Sequence, residues 1–256
     1  MSNVTLNNIN NTSKNEIEKL NTKNAIEFNE RGVEKYLNND YEGAMIDLTK
    51  AIEIDDEFFD AYENRGRVKA SLKDYSGAIE DFNKVIEFYK DSKVYSSRAR
   101  MKKHLFDFDG ALQDYNIAIK KFPEEYSGFY GRGELKYETT DYLGAIEDFN
   151  KCIELKPKLI LSFQKLGECR LKIEDYNGAI EVFSYIIQNR QEAYKINGPP
   201  SENASKTLAM YYHNRGVAKS NIKDYKDAIS DFKKAVELNP EFEEAKYFLK
   251  TLENNY

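Results

Sequence analysis

The chain writes the same phrase every 34 residues or so, and nothing else in it constrains the fold as strongly. The stretch Asp74-Tyr75-Ser76-Gly77-Ala78-Ile79-Glu80-Asp81-Phe82 recurs in altered form from Asp40, Asp107, Asp141, Asp175 and Asp224. Its alanine falls at Ala44, Ala78, Ala111, Ala145, Ala179 and Ala228, at intervals of 34, 33, 34, 34 and 49 residues. Such a period marks an array of stacked units, each touching only its neighbours. A length of 256 residues is therefore no guide to the number of globular domains.

A second phrase stands about twelve residues upstream of each alanine. It centres on a small residue, at Gly32, Gly66, Ala99, Gly133, Gly167 and Gly216, with an aromatic four residues before: Phe28, Tyr62, Tyr95, Phe129, Phe163 and Tyr212. Apolar residues recur at helical spacing on both sides of a polar turn, as in Ala78, Ile79, Phe82, Val85 and Ile86 after Lys73-Asp74. The aspartate that opens each second stretch suits an N-cap. The small slot suits a close crossing, where a side chain would hold two helix backbones apart.

These residues resemble the tetratricopeptide repeat (TPR) family. The matching positions are the aromatic, the small residue, the ring opening the second helix (Tyr41, Tyr75, Phe108, Tyr142, Tyr176, Tyr225), the alanine, and a large residue four later. The resemblance implies an all-α, right-handed superhelical solenoid of helix-turn-helix repeats with a C-terminal capping helix. The expected repeats are 25–58, 59–91, 92–125, 126–159, 160–208 and 209–242. A mobile Asn-rich tail over 1–24, with room for an extra helix after a Ser13–Glu16 capping box, precedes them. The cap spans 243–256, with Ala245, Phe248, Leu249 and Leu252 on one face and Pro240 at its start. The fifth repeat carries 15 additional residues around Asn197-Gly198-Pro199-Pro200-Ser201, a run that cannot continue a helix. A loop is expected there, between an extended second helix and a first helix capped by Ser201.

One charged pair recurs. Before the small slot stand Arg31, Arg65, Arg98, Arg132, Leu166 and Arg215, and before the large residue of the second helix stand Asp47, Asp81, Asp114, Asp148, Val182 and Asp231. In the fifth repeat both members turn apolar together. Removing one partner of a buried pair strands a charge, whereas replacing both is nearly neutral. The two positions are expected to touch within each hairpin and to play a structural part.

Catalytic signals are missing from the sequence, so an enzyme is not expected. His104 and His213 have no neighbour at metal-ligand spacing. Gly131-Arg132-Gly133 lies inside a helical stretch and lacks the strand that a phosphate loop needs. No metal and no cofactor is expected. Cys152 and Cys169 fall at small or apolar slots and read as buried, reduced thiols. A net charge of -6 disfavours nucleic acid and anionic membrane as partners. No apolar run reaches the ~20 residues of a membrane span, and the first residues lack a secretory pattern, so the expected location is cytoplasmic.

The resemblance implies a noncatalytic protein-interaction scaffold that holds a peptide or helix of a partner in a concave groove lined by first helices. Candidate groove residues are Asn29 and Asn64, together with Arg67, Lys93, Arg100 and Lys103, whose charges make the second and third repeats basic. Tyr130, Glu134, Tyr137 and Glu168 make the fourth and fifth acidic, and Asn214 follows in the sixth, next to His213 at another groove slot. The partner is expected to offer an acidic segment. A clamp that some family members use for chaperone carboxylates is matched here by Asn64 and Lys93 alone, so that ligand is not expected. The alternatives are a self-associating structural scaffold and, with less support, an RNA-binding helical repeat. The chain is expected to be a monomer or to self-associate weakly.

Overall fold

The computed structural model describes residues 22–89, 93–197 and 201–255. The expected tail with its Ser13–Glu16 box, and Gly198 to Pro200 of the expected loop, lie outside these residues. The regular structure described is all α-helical, a helical-repeat solenoid that divides into two compact units, 1–123 and 124–256. The first unit contains α1 (22–37), α2 (Tyr41–Ile54), α3 (Phe59–Ser71), α4 (Tyr75–Phe88), α5 (Val94–His104) and α6 (Phe108–Lys121). The second contains α7 (Tyr126–Glu138), α8 (Tyr142–Leu155), α9 (Ile160–Lys172), α10 (Tyr176–Asn197), α11 (Glu202–Asn221), α12 (Tyr225–Leu238) and α13 (Glu243–Asn255).

Each hairpin is closed by the same local chemistry. The aspartate before every second helix accepts from the amide three residues on: Asp40 from Gly43 at 2.9 Å, Asp74 from Gly77 at 2.9 Å, and Asp107, Asp141 and Asp175 likewise at 3.0 Å. Asp224 reaches Asp227 at 3.4 Å. The residue just before each cap is left-handed, with φ between 61° and 67° at Asn39, Lys73, Phe106, Thr140, Glu174 and Lys223. This lets the Asp amide bond back to a first-helix carbonyl, as Asp40 does to Lys35 at 2.9 Å, and so satisfies a carbonyl the helix end leaves free. Asn39 aside, these are residue types that adopt the left-handed region at a cost.

The small slot is explained, with one change of detail. A Cβ on Gly66 would lie 2.7 Å from Cε1 of Phe82, and one on Gly133 2.9 Å from Cε1 of Phe149. At Gly167 and Gly216 the obstacles are Phe183 and Phe232, and at Gly32 it is Leu48. The glycine therefore receives the large side chain of the facing helix rather than its backbone. Each such residue lies buried beside the invariant alanine, as Phe82 does beside Ala78.

The additional residues of the fifth repeat are helical. α10 is 22 residues long where α8 is 14, and α11 is 20 where α9 is 13. The lengthening of the two helices accounts for all of the widened spacing. Ser201 caps α11, accepting from Ala204 at 3.4 Å. Ile186, Ile187, Leu208, Tyr211 and Tyr212 of the paired helices join Leu166 and Phe183 in one core. At the C-terminus, Phe248 stacks on Phe232 with centroids 5.4 Å apart, and Ala245 and Leu252 are buried. Pro240 is not at the start of this helix, because a turn intervenes in which the Phe242 amide bonds the Asn239 carbonyl at 3.0 Å. Both cysteines are free and buried. Burial pushes the thiol pKa of each up to about 12.

Candidate functional site

The arginine–aspartate pairs must be placed first, because they take five arginines out of contention as ligand contacts. All five form, each through two hydrogen bonds. Arg65 reaches Asp81 at 3.0 and 2.8 Å, and Arg98 reaches Asp114 at 2.8 and 2.6 Å. Arg31–Asp47, Arg132–Asp148 and Arg215–Asp231 repeat the geometry. A second cation, not anticipated from the sequence, completes each site. Lys35, Lys69, Lys102, Lys136 and Lys219 stand 2.8 to 2.9 Å from the same carboxylates. Hydrogen bonds from Arg31 hold the Asp47 carboxyl down at a pKa of about 2, against the cost of burial. The guanidinium also lies near the aromatic three residues earlier, 5.4 Å from the Tyr62 ring for Arg65. Its remaining edge reaches the preceding second helix, from Arg98 to Asn83 at 2.7 Å and from Arg215 to Ser184 at 3.0 Å. In the fifth repeat Leu166 and Val182 are buried, and Arg170 at the lysine slot turns instead to Asp175 and Glu181 at 3.7 and 3.9 Å.

In the first unit, the first helices α1, α3 and α5 present two adjoining pockets. The larger, about 420 Å³, is lined by Arg67 and Arg100, the hydroxyl-bearing Tyr36 and Ser71, and the stacked pair Tyr75 and His104. No aspartate or glutamate is among its lining residues. The Tyr36 and Ser71 hydroxyls are 3.3 Å apart. Arg67 is ion-paired with Glu63 on its own helix and donates to Asn64 at 3.5 Å. Arg100 is exposed. The smaller pocket, about 110 Å³, has aliphatic walls from Val33, Leu37, Leu48 and Val68 and shares Tyr36 and Arg67 with its neighbour. Asn64 also lines it and donates to Asn29 at 2.9 Å, which joins α1 to α3.

Two expected members of the basic patch stand apart from this arrangement. Lys93 precedes α5, seven residues before Arg100, which is about 10 Å along a helix axis. Its ammonium lies 5.7 Å from the Phe122 ring. Lys103 is half-buried and does not line either pocket.

The acidic candidates of the second unit are drawn into a hydrogen-bonded network. The Tyr211 hydroxyl donates to Gln164 at 3.1 Å, and Gln164 donates to Glu168 at 2.8 Å. Lys165 pairs with Glu168 at 2.9 Å and lies 5.0 Å from the Tyr137 ring. The Glu168 side chain is only 18% exposed, so it faces Lys165 rather than an open groove. Tyr130 is half-buried against Phe149, and burial, then the Glu134 charge, raises its hydroxyl pKa. Asn214 is half-buried. His213 departs most from expectation. It is buried, 4.8 Å from the Phe242 ring and 5.6 Å from Phe232 and Phe248, and its Nδ1 has no hydrogen-bond partner. The C-terminal helix and the turn before it cover this slot. Among the described residues, no group of three or more His, Cys, Asp or Glu side chains could hold a metal, and no helix is long and apolar enough to cross a membrane.

Comparison with known proteins agrees with the hairpin geometry. The sequence pattern of the tetratricopeptide repeat family matches residues 59–92, 107–159 and 209–242. The chain is a tetratricopeptide repeat protein. Solved structures share its fold at low sequence identity. Pseudomonas aeruginosa pilF is 17% identical with a TM-score of 0.70, covering 90% of this chain and 99% of its own. YrrB, described as a TPR protein with an unusual peptide-binding site, is 18% identical with a TM-score of 0.64, covering 79% and 97%. A tetratricopeptide repeat protein from Parabacteroides merdae is 20% identical with a TM-score of 0.58, covering 91% and 100%. A sequence comparison with curated proteins finds no match. Within this TPR protein, Ser71, Tyr75 and His104 escaped the sequence reading because they sit near the ends of helices, outside the two groove slots considered. The lysines of the charged sites left a readable signal, four residues after each arginine.

Proposed function

We propose that this TPR protein is a noncatalytic protein-interaction scaffold that binds an extended peptide of its partner across α1, α3 and α5. The observation that supports this reading is the carboxylate-free pocket into which Arg67 and Arg100 rise from neighbouring first helices. Arginine's planar fork binds a carboxylate through two parallel hydrogen bonds. The exposed ion pair of Arg67 with Glu63 exchanges for a ligand at small cost. Asn29 and Asn64 offer amide groups that both donate to and accept from a peptide backbone. The scaffold acts as a monomer or self-associates weakly, which light scattering tests against its 29.8 kDa mass.

Selection of peptides from a random displayed library tests the site. Selected peptides should bind the wild type and a control reversed on α4, Lys84→Glu, and should lose binding to Arg100→Glu and Tyr36→Ala. Equal binding to all four proteins would place recognition elsewhere.

A further inference from the structure

The two pockets of the first unit differ in chemistry and share a wall. We infer that they read one extended motif: an aliphatic side chain, two residues of any type, then an anionic side chain. The inference rests on the groove reading above and adds the class and register of the ligand. The smaller pocket, walled by Val33, Leu37, Leu48 and Val68, has room for one branched aliphatic side chain. The larger presents Arg67 and Arg100 with the Tyr36 and Ser71 hydroxyls, all able to donate to anionic oxygens, and no lining carboxylate opposes them. Arg100 makes no hydrogen bond or ion pair among the described residues, so its charge is available to a ligand.

Spacing sets the register. The smaller pocket lies between α1 and α3, the larger between α3 and α5, and both touch Tyr36 and Arg67. Their centres are thus one helix-to-helix step apart, about 10 Å. An extended chain advances about 3.3 Å per residue, which places the anionic side chain about three positions from the aliphatic one. A helical ligand, at about 1.5 Å per residue, would need about seven. At the smaller pocket Asn64 donates to Asn29, and Asn29 retains amide N–H groups to donate to a ligand backbone. The anionic group is a carboxylate or a phosphate, since both fit a pair of arginines.

A fluorescence-polarisation series tests this with synthetic peptides carrying one Leu and one Glu separated by zero to six Ser or Gly residues. A parallel set has phosphoserine in place of Glu. Binding should be tightest with a two-residue spacer in one or both sets, and which set binds identifies the anion. Arg100→Glu should weaken it about tenfold or more, equivalent to about 1.4 kcal/mol. Leu37→Asp, at an exposed position that tolerates polarity, should abolish the preference for Leu over Ala in the peptide. Circular dichroism of each variant establishes that the fold is kept. A flat spacer profile, or an optimum at six, overturns the register while sensitivity to Tyr36→Ala preserves the groove. Binding indifferent to both Arg100→Glu and Leu37→Asp overturns register and groove together. No binding by any peptide up to about 1 mM also overturns the inference, with the library selection still standing as the separate test of the groove.

Discussion

Asp81→Ala should be among the most destabilising single changes in the chain. Asp81 is 3% exposed and accepts from Arg65 Nε and Nη2 and from Lys69 Nζ, all within 3.0 Å. Deleting it leaves two cations, 17% and 16% exposed, facing each other without a counter-charge. The expected cost is about 3–5 kcal/mol, as for the breaking of other buried ion pairs. Arg65→Leu should cost less, about 2 kcal/mol, because Lys69 still covers the carboxylate. The double change Arg65→Leu with Asp81→Val copies the Leu166–Val182 arrangement of the fifth repeat. Lys69 can then keep the Gly77 carbonyl at 3.3 Å and extend its ammonium to water. The double variant should therefore be more stable than Asp81→Ala alone, and the cycle closed by the single changes Arg65→Leu and Asp81→Val should show a coupling of about 3 kcal/mol. Repeat arrays need not unfold in one step. The readout is accordingly amide-exchange protection in α3 and α4, alongside urea denaturation. If the two single changes simply add, to within about 0.5 kcal/mol, the charges act independently and the joint swap in the fifth repeat carries no meaning.

Thr140, β-branched and left-handed at φ 67°, should gain about 0.5–1 kcal/mol on replacement by Gly, the relieved strain exceeding the added unfolded-state entropy; urea midpoints measure it. Gly133→Ala should cost about 1–3 kcal/mol by driving a Cβ into Phe149, and an unchanged thermal midpoint would refute the tight-slot reading. Burial lowers the pKa of His213 below its ordinary value of about 6.5 against the opposing pull of Glu244 at 3.7 Å. The unfolded chain then binds the proton more readily, so stability should fall as pH drops below about 6.5 towards the folded value. His213→Phe should remove that slope, which amide exchange of α13 between about pH 7.5 and 5.5 would show.

How far the molecule was legible depends on whether a feature repeats. The Asp caps, the small slots and the Arg–Asp pairs were readable because six copies of one hairpin sample the same geometry, and the Leu166–Val182 exception pointed directly to contact. The large pocket was not readable in the same way. It is completed by Ser71 and His104, whose types vary at equivalent places, and by Tyr75, whose ring recurs in every repeat and so singles out none of them. Burial of His213 was missed because the terminal helix packs its aromatics over a slot that reads as open when its repeat is considered alone. Glu168 reads as a free acid because a single position does not reveal that Lys165 neutralises it and Gln164 hydrogen-bonds it from the same helix.

The lengthened hairpin of the fifth repeat has a consequence for how such an array can be modified. α10 and α11 exceed α8 and α9 by eight and seven residues, each close to two full turns. An added segment of whole turns returns a helix to the same rotational phase. Leu208, Tyr211 and Tyr212 thus arrive facing the core that shorter helices would have met. Length at this hairpin is therefore quantised: extensions or deletions of whole turns, about 3.6 residues or a multiple, in each arm preserve the packing of everything downstream, while about two or five would turn the apolar stripe to solvent. The hairpin is the natural place to graft a sensor, a label or a second recognition element onto the scaffold without disturbing the pockets of the first unit.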